Sequence, residues 1–165
     1  MKTDELRALQ APIKERYREE PSAALVTLTA QGDLAEGVAC SLRTGRAVAE
    51  AGLHPASGGD GTQLCSGDML LEALVACAGV TLKAVATSLG IPVSGRVRAE
   101  GDLDFRGTLG VDREAPVGFS DIRLFFDLET DADEEQRATL LKLTERYCVV
   151  FQTLAGSPKL EVEFA

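Results

Sequence analysis

The chain has 165 residues and 45% of them are hydrophobic, enough for one domain with its own core and too apolar for a disordered chain. A formal net charge of −9 disfavours phosphate backbones and anionic membranes, which recruit clustered Lys and Arg, so neither nucleic acid nor membrane is expected as a partner. The segment Met1-Lys2-Thr3-Asp4-Glu5-Leu6-Arg7 lacks the apolar centre of a signal peptide, and no apolar run reaches ~18 residues without a charge, so the expected location is cytoplasmic.

In chain order, residues 3–19 are charged and amphipathic, with Leu6, Leu9, Ile13 and Tyr17 at helical spacing and Pro21 just beyond. Residues 1–22 are expected to form an N-terminal helical extension to a domain over 23–165. A strand is expected at 24–30, a turn at Gln31-Gly32-Asp33, and strands near 35–43 and 46–51 flanking a tight turn at Thr44-Gly45. Residues 52–67 form a loop rich in Gly, Pro and Ser. The stretch 68–89 follows as a helix ended by Gly90 and Pro92. Strands near 93–105 and 119–129 are joined by the Gly- and Pro-bearing segment 106–118. Asp131 or Asp133 can cap a third helix over about 133–155. Gly156-Ser157-Pro158 ends it, and Lys159-Leu160-Glu161-Val162-Glu163-Phe164 alternates as a final strand. The order is α+β, without regular βαβ alternation.

The helix over 68–89 carries only Glu72 and Lys83 as charges after Asp68 and is apolar on nearly every face. Such a helix is buried all round. Either the chain's own sheets cover it or a second subunit does, and the pattern leaves both open. Small residues, among them Ala73, Ala76, Gly79 and Ala84, permit close approach.

Four cysteines lie at 40, 65, 77 and 148. No C-x-x-C occurs, the spacing fits no zinc pattern, and His54 is the only histidine, so no metal or cofactor is expected. In a reducing compartment the cysteines are not a structural disulfide framework. Cys77 and Cys148 each sit on an apolar helical stretch. They are a nucleophile and a resolving thiol if the fold unites them, and packed core thiols if it does not. Cys40 on a strand and Cys65 before the central helix are expected to be structural, with Cys65 as an alternative resolving thiol. The Gly58-Gly59-Asp60-Gly61 turn lacks the Gly-Lys-Ser/Thr ending of a phosphate loop.

The stretch from Gly58 through Ser66-Gly67-Asp68-Met69-Leu70-Leu71-Glu72 to Cys77 resembles the OsmC/Ohr family: a Gly-rich loop, a helix start, and a cysteine about three turns on. Cys148 in Arg146-Tyr147-Cys148-Val149-Val150 falls where that family has a Cys-Pro motif. The resemblance covers about 23–165. It implies two antiparallel β-sheets with central helices in an intertwined homodimer. It also implies a thiol peroxidase that reduces organic hydroperoxides and is recycled by a dithiol reductant. Cys77 matches the peroxidatic cysteine and Cys148 the resolving one, joined as a disulfide in the cycle. Arg43, with Arg46 as competitor, matches the Arg that organises the thiolate. Asp68 stands near the family's Pro-Glu as a shorter carboxylate, or serves as a helix N-cap, and Val149 replaces the proline. The residues keep two other classes open. One is a dimeric binding protein with an apolar pocket and little turnover. The other is a cysteine hydrolase, for which only His54 offers a base.

Overall fold

The structure, a computed structural model, describes residues 3–35, 39–42, 51–62 and 64–164. The expected turn at Thr44-Gly45, residues 46–50 of the third strand, and both Arg43 and Arg46 lie outside the described residues.

The elements are α1 (Thr3–Glu19), β1 (Leu25–Ala35), β2 (Ala39–Leu42), β3 (Ala51–Gly52), β4 (Leu64–Cys65), α2 (Ser66–Leu89), β5 (Ser94–Asp104), α3 (Phe105–Thr108), β6 (Phe119–Glu129), α4 (Glu134–Tyr147) and α5 (Val149–Gly156). Among the described residues the main sheet has four strands in the order β2-β1-β5-β6, and β3 and β4 form a two-residue parallel pair. The content is mixed α and β, as expected. The chain divides into two compact units, Met1–Ala30 with Arg43–Glu72 and Arg98–Phe125, and Gln31–Leu42 with Ala73–Val97 and Phe126–Ala165.

In the first unit α1 supplies Tyr17 to a core with Ala24, Phe105 and Leu109. Burial desolvates the phenol and raises its pKa, and the hydroxyl donates to the Ala56 carbonyl at 2.7 Å. The short α3 is fixed by Asp104, which is buried yet paired. Its carboxylate accepts from the Arg106 amide and guanidinium, and Arg106 also reaches Asp112 at 3.2 Å. These bonds hold Asp104 in its charged form, with a lowered pKa despite burial. β5 alternates in burial, with Val97, Ala99 and Gly101 inward. Its other face carries an ionic network in which Arg123 bonds Asp102 at 2.6 Å and Asp121 at 2.5 Å, and Thr27 donates to Asp102 at 2.6 Å.

In the second unit Leu82, Val85 and Ala86 of α2 pack with Val93 and with Leu140 of α4, flanked by Ile91, Phe126, Leu128 and Leu143. Truncating a buried leucine such as Leu82 or Leu140 to Ala costs about 2–5 kcal/mol, a large share of the ~5–15 kcal/mol that holds a domain folded. Gly90, at φ 67°, ends α2 in the left-handed region, and the Ile91 amide returns to the Ala86 carbonyl at 2.9 Å. By length and composition α2 could cross a membrane. Its Leu74, Val75, Ala78, Leu82, Val85 and Ala86 stripe is buried against protein. The opposite stripe is apolar but open: Ala73, Val80 and Ala84 are exposed, with Ala76 and Cys77 half-buried between them. At Gly95 a Cβ would lie 2.2 Å from the Asp127 carbonyl oxygen, so β5 and β6 approach there as only glycine allows.

Three expectations are corrected. β1 runs on through Gln31-Gly32-Asp33, because β2 supplies an antiparallel ladder that pairs Gly32 with Leu42 and Leu34 with Cys40. The helix expected over 133–155 is two helices. α4 begins in a capping box between Asp133 and Gln136, and Cys148 then turns extended at φ −72°, ψ 106°. The Cys148 amide closes α4 on the Thr144 carbonyl, and its carbonyl opens α5 by accepting from Gln152. The β-branched Val149-Val150 pair favours a break at that point. Residues 159–164 form no strand; Leu160, Val162 and Phe164 stand 85%, 96% and 108% exposed. A strand is stable only with a partner, and among the described residues of the chain it has none.

The Arg123 hydrogen bond, with help from Thr27, depresses the Asp102 pKa to about 2. A depressed carboxylate stabilises the fold above its unfolded value of roughly 4, and that contribution is lost as pH falls through about 2. Thermal unfolding of Asp102→Asn against wild type should therefore differ at pH 5 to 7, with the two curves converging toward pH 2.

Candidate functional site

Cys77 lies at the middle of α2, and Cys148 fills the junction between α4 and α5. The second unit brings them together. Cys148 is 1% exposed and Cys77 half-buried, and both are free thiols. Their separation of 71 positions is closed by packing of α4 on α2 through Leu140, Leu82 and Val85.

The two sulfurs are unlike. Burial pushes the Cys77 thiol up, but donors surround it: the Val150 amide, the Cys148 thiol, the Thr81 hydroxyl and the Val149 amide. Together they outweigh burial and hold Cys77 below an ordinary thiol. Cys148 is pushed up to about 11, first by burial, then by its hydrogen bond to Cys77 and the negative charge there. The Phe151 and Val150 amides offset this only in part. Cys77 is thus the more acidic thiol and the acceptor of the pair, and Cys148 the one that keeps its proton and donates.

The donors trace to local sequence. A helix leaves its first N–H groups without intrahelical partners. In α5 the first intrahelical bond runs from Gln152 to Cys148, so Val149, Val150 and Phe151 have amides to give. The break at Cys148 turns an α-helical interior into a helix N-terminus beside a sulfur, a setting that favours negative charge. Thr81 is one turn after Cys77 on α2 and places its hydroxyl on the same face. Sequence reasoning passed over Thr81, although the i, i+4 spacing points to it. It also passed over the amides, because the break in the last helix was not foreseen.

The remaining candidates are placed differently. Arg43 and Arg46 lie outside the described residues. Asp68 belongs to the first unit, inside the first turn of α2, which starts at Ser66; it is not the N-cap. Burial raises its pKa and the neighbouring His54 partly counters this. Glu72 is raised by burial and by Asp68. Cys65 ends β4 in the first unit as a half-buried free thiol. His54 also belongs to the first unit, in a capping role, and the thiol pair with its donors belongs to the second.

The family model described as "OsmC-like protein" matches residues 59–163, well over half of the chain. The match contains both thiols, Thr81 and all of α5. No curated protein matches the chain at a significant level.

The asymmetry has a direct reading in solution. Alkylation of Cys77 by iodoacetamide should rise at lower pH than that of an unperturbed thiol, while Cys148 should stay unreactive until far higher pH. Val149→Pro removes one amide donor at the first helical position, where proline is tolerated, and Val149 is 70% exposed, so little packing is lost. The Cys77 profile should move up by about one pH unit or less, the weight of one charge-assisted hydrogen bond.

Proposed function

The chain belongs to the OsmC-like protein family, and from that premise we propose that it is a cysteine-based thiol peroxidase for organic hydroperoxides. The observation that carries the proposal is the unequal thiol pair. The Cys77 sulfur is held toward the thiolate, and Cys148 lies within hydrogen-bonding reach with its proton retained.

The Cys77 thiolate attacks one peroxide oxygen with its own electron pair. The O–O bond breaks, sulfur is oxidised to the sulfenic acid, and the alkoxide leaves as alcohol on taking a proton. The amides of Val149 and Val150 and the Thr81 hydroxyl stabilise the attacking anion. Cys148 then attacks the sulfenic sulfur. An S–S bond forms, the S–O bond breaks, and the hydroxyl leaves as water with a proton. A dithiol reductant supplies the two electrons that restore both thiols. Arg43 is proposed as a further source of positive charge near the sulfur, with Asp68 as the carboxylate that fixes its guanidinium fork.

Wild type should consume cumene hydroperoxide with a dithiol, and Cys77→Ser should not. In Cys148→Ser, Cys77 should stop at a sulfenic acid that dimedone traps, and excess peroxide should drive it to the sulfinic acid. Cys65→Ser should leave the disulfide intact. Arg43→Ala should slow turnover more than Arg46→Ala. No consumption, with both thiols intact after peroxide, would leave the binding-protein reading in place.

We further propose a homodimer as the working form. The open apolar stripe of α2 in the second unit is the support, with Val80 39% exposed opposite the buried stripe of the same helix. A 17.5 kDa chain rarely leaves such a face to water. Sedimentation at micromolar concentration should give twice the chain mass, and a folded monomer would overturn this part.

A further inference from the structure

The first unit contains a cavity of about 410 Å³ that the thiol chemistry does not use. That volume falls in the range of small-molecule sites. Its walls are mainly apolar: Leu53, Leu70, Leu103, Phe105 and Phe119. One polar side chain in the lining is held in a fixed state. The Nδ1 of His54 accepts from the Ala56 amide at 3.0 Å, so the neutral ring carries its proton on Nε2. The ring stacks on Phe105 with centroids 5.0 Å apart and planes 21° from parallel. The His54 carbonyl accepts from the Ser57 amide, the Ser57 hydroxyl and the Gly59 amide at 2.8, 2.9 and 3.1 Å. Gly59 presses so close to Leu53 that a Cβ there would lie 1.7 Å from its carbonyl oxygen. The histidine is therefore held from both its ring and its backbone. Among the described residues its Nε2–H has no hydrogen-bond partner.

We propose that this cavity is a binding site for a small, neutral, largely apolar molecule bearing one carbonyl-type acceptor, which His54 Nε2–H engages. The acceptor follows from the tautomer: with Nδ1 taken by the Ala56 amide, Nε2–H is the one donor the ring has left, and a ligand oxygen is the partner it can take. Neutrality follows from charge. Among the described residues that line the cavity there is no Lys or Arg, so a ligand carboxylate would be desolvated there with no guanidinium or ammonium to pair it. Aromatic or alkyl bulk follows from the two phenylalanines and three leucines. Cys65, in the cavity lining, is a built-in reporter, because an occupant shields its thiol.

The test is protection of Cys65 from iodoacetamide in the full chain, read by peptide mass. Butyrophenone is compared with butylbenzene, the same skeleton without the oxygen, and with decanoate. Butyrophenone should slow Cys65 alkylation about fivefold at four times its dissociation constant, since protection grows as 1 + [L]/Kd. Its affinity should exceed that of butylbenzene by about tenfold, the ratio for one hydrogen bond of ordinary strength, and decanoate should protect least. In His54→Asp the carboxylate can still accept from the Ala56 amide and brings no donor of its own, so ketone and hydrocarbon should become equal. Equal protection by the two in wild type, or none by either, overturns the proposal without any variant. So does protection that tracks protein concentration instead of ligand, which would place a second copy over the cavity. The outcome is independent of peroxide turnover at Cys77.

Discussion

The candidate chemistry depends on one interaction, the donation of α5 amides to the Cys77 sulfur. A thiol in an apolar helix is driven toward its neutral form by burial, and a neutral thiol is a poor nucleophile. Here burial is the largest single influence on Cys77, and four donors reverse it together. Two are main-chain amides that exist as donors only because the chain breaks its helix at Cys148. The capping box at Asp133, the packing of Leu140 on α2 and the extended backbone of Cys148 matter to the chemistry because they set where that break falls.

The same break explains the inequality of the thiols. Cys148 is buried, hydrogen-bonded as donor and adjacent to negative charge, each of which keeps its proton. One local geometry therefore makes one thiol more acidic and holds the proton on the other. Val149 in the position of the family's proline is not a plain loss in this setting. A proline would order the first turn equally well but would bring no N–H to the sulfur.

Much of the fold was legible because it rests on periodicity and punctuation. α2, β5 and β6 fall close to their expected bounds, since a long apolar run stopped by Gly90 and two alternating runs admit few other readings. The cysteine pairing was legible only through resemblance, because 71 residues of separation carry no spacing signal. Three features needed tertiary information. β1 passes through a Gly-containing triplet because β2 pairs across it. The last helix splits where a hydrogen-bonding switch at Cys148 overrides a continuous helical pattern. The tail at 159–164 has strand periodicity without a ladder to join. His54, passed over as a loop residue, owes its interest to a tautomer that only its Ala56 contact reveals.

In the proposed cycle the extended residue between α4 and α5 also ties helix stability to oxidation state. While Cys77 is an anion, the first turn of α5 is anchored by a charge at its positive end. Disulfide formation removes that charge and leaves the Val149 and Val150 amides facing a neutral sulfur, a much weaker acceptor. α5 is only eight residues long and none of its side chains is fully buried. Its first turn should therefore fray when the pair is oxidised and tighten when it is reduced. Amide hydrogen exchange in α5 would then be a gauge of the proposed redox cycle, and the loosened turn would open the proposed disulfide to a reductant.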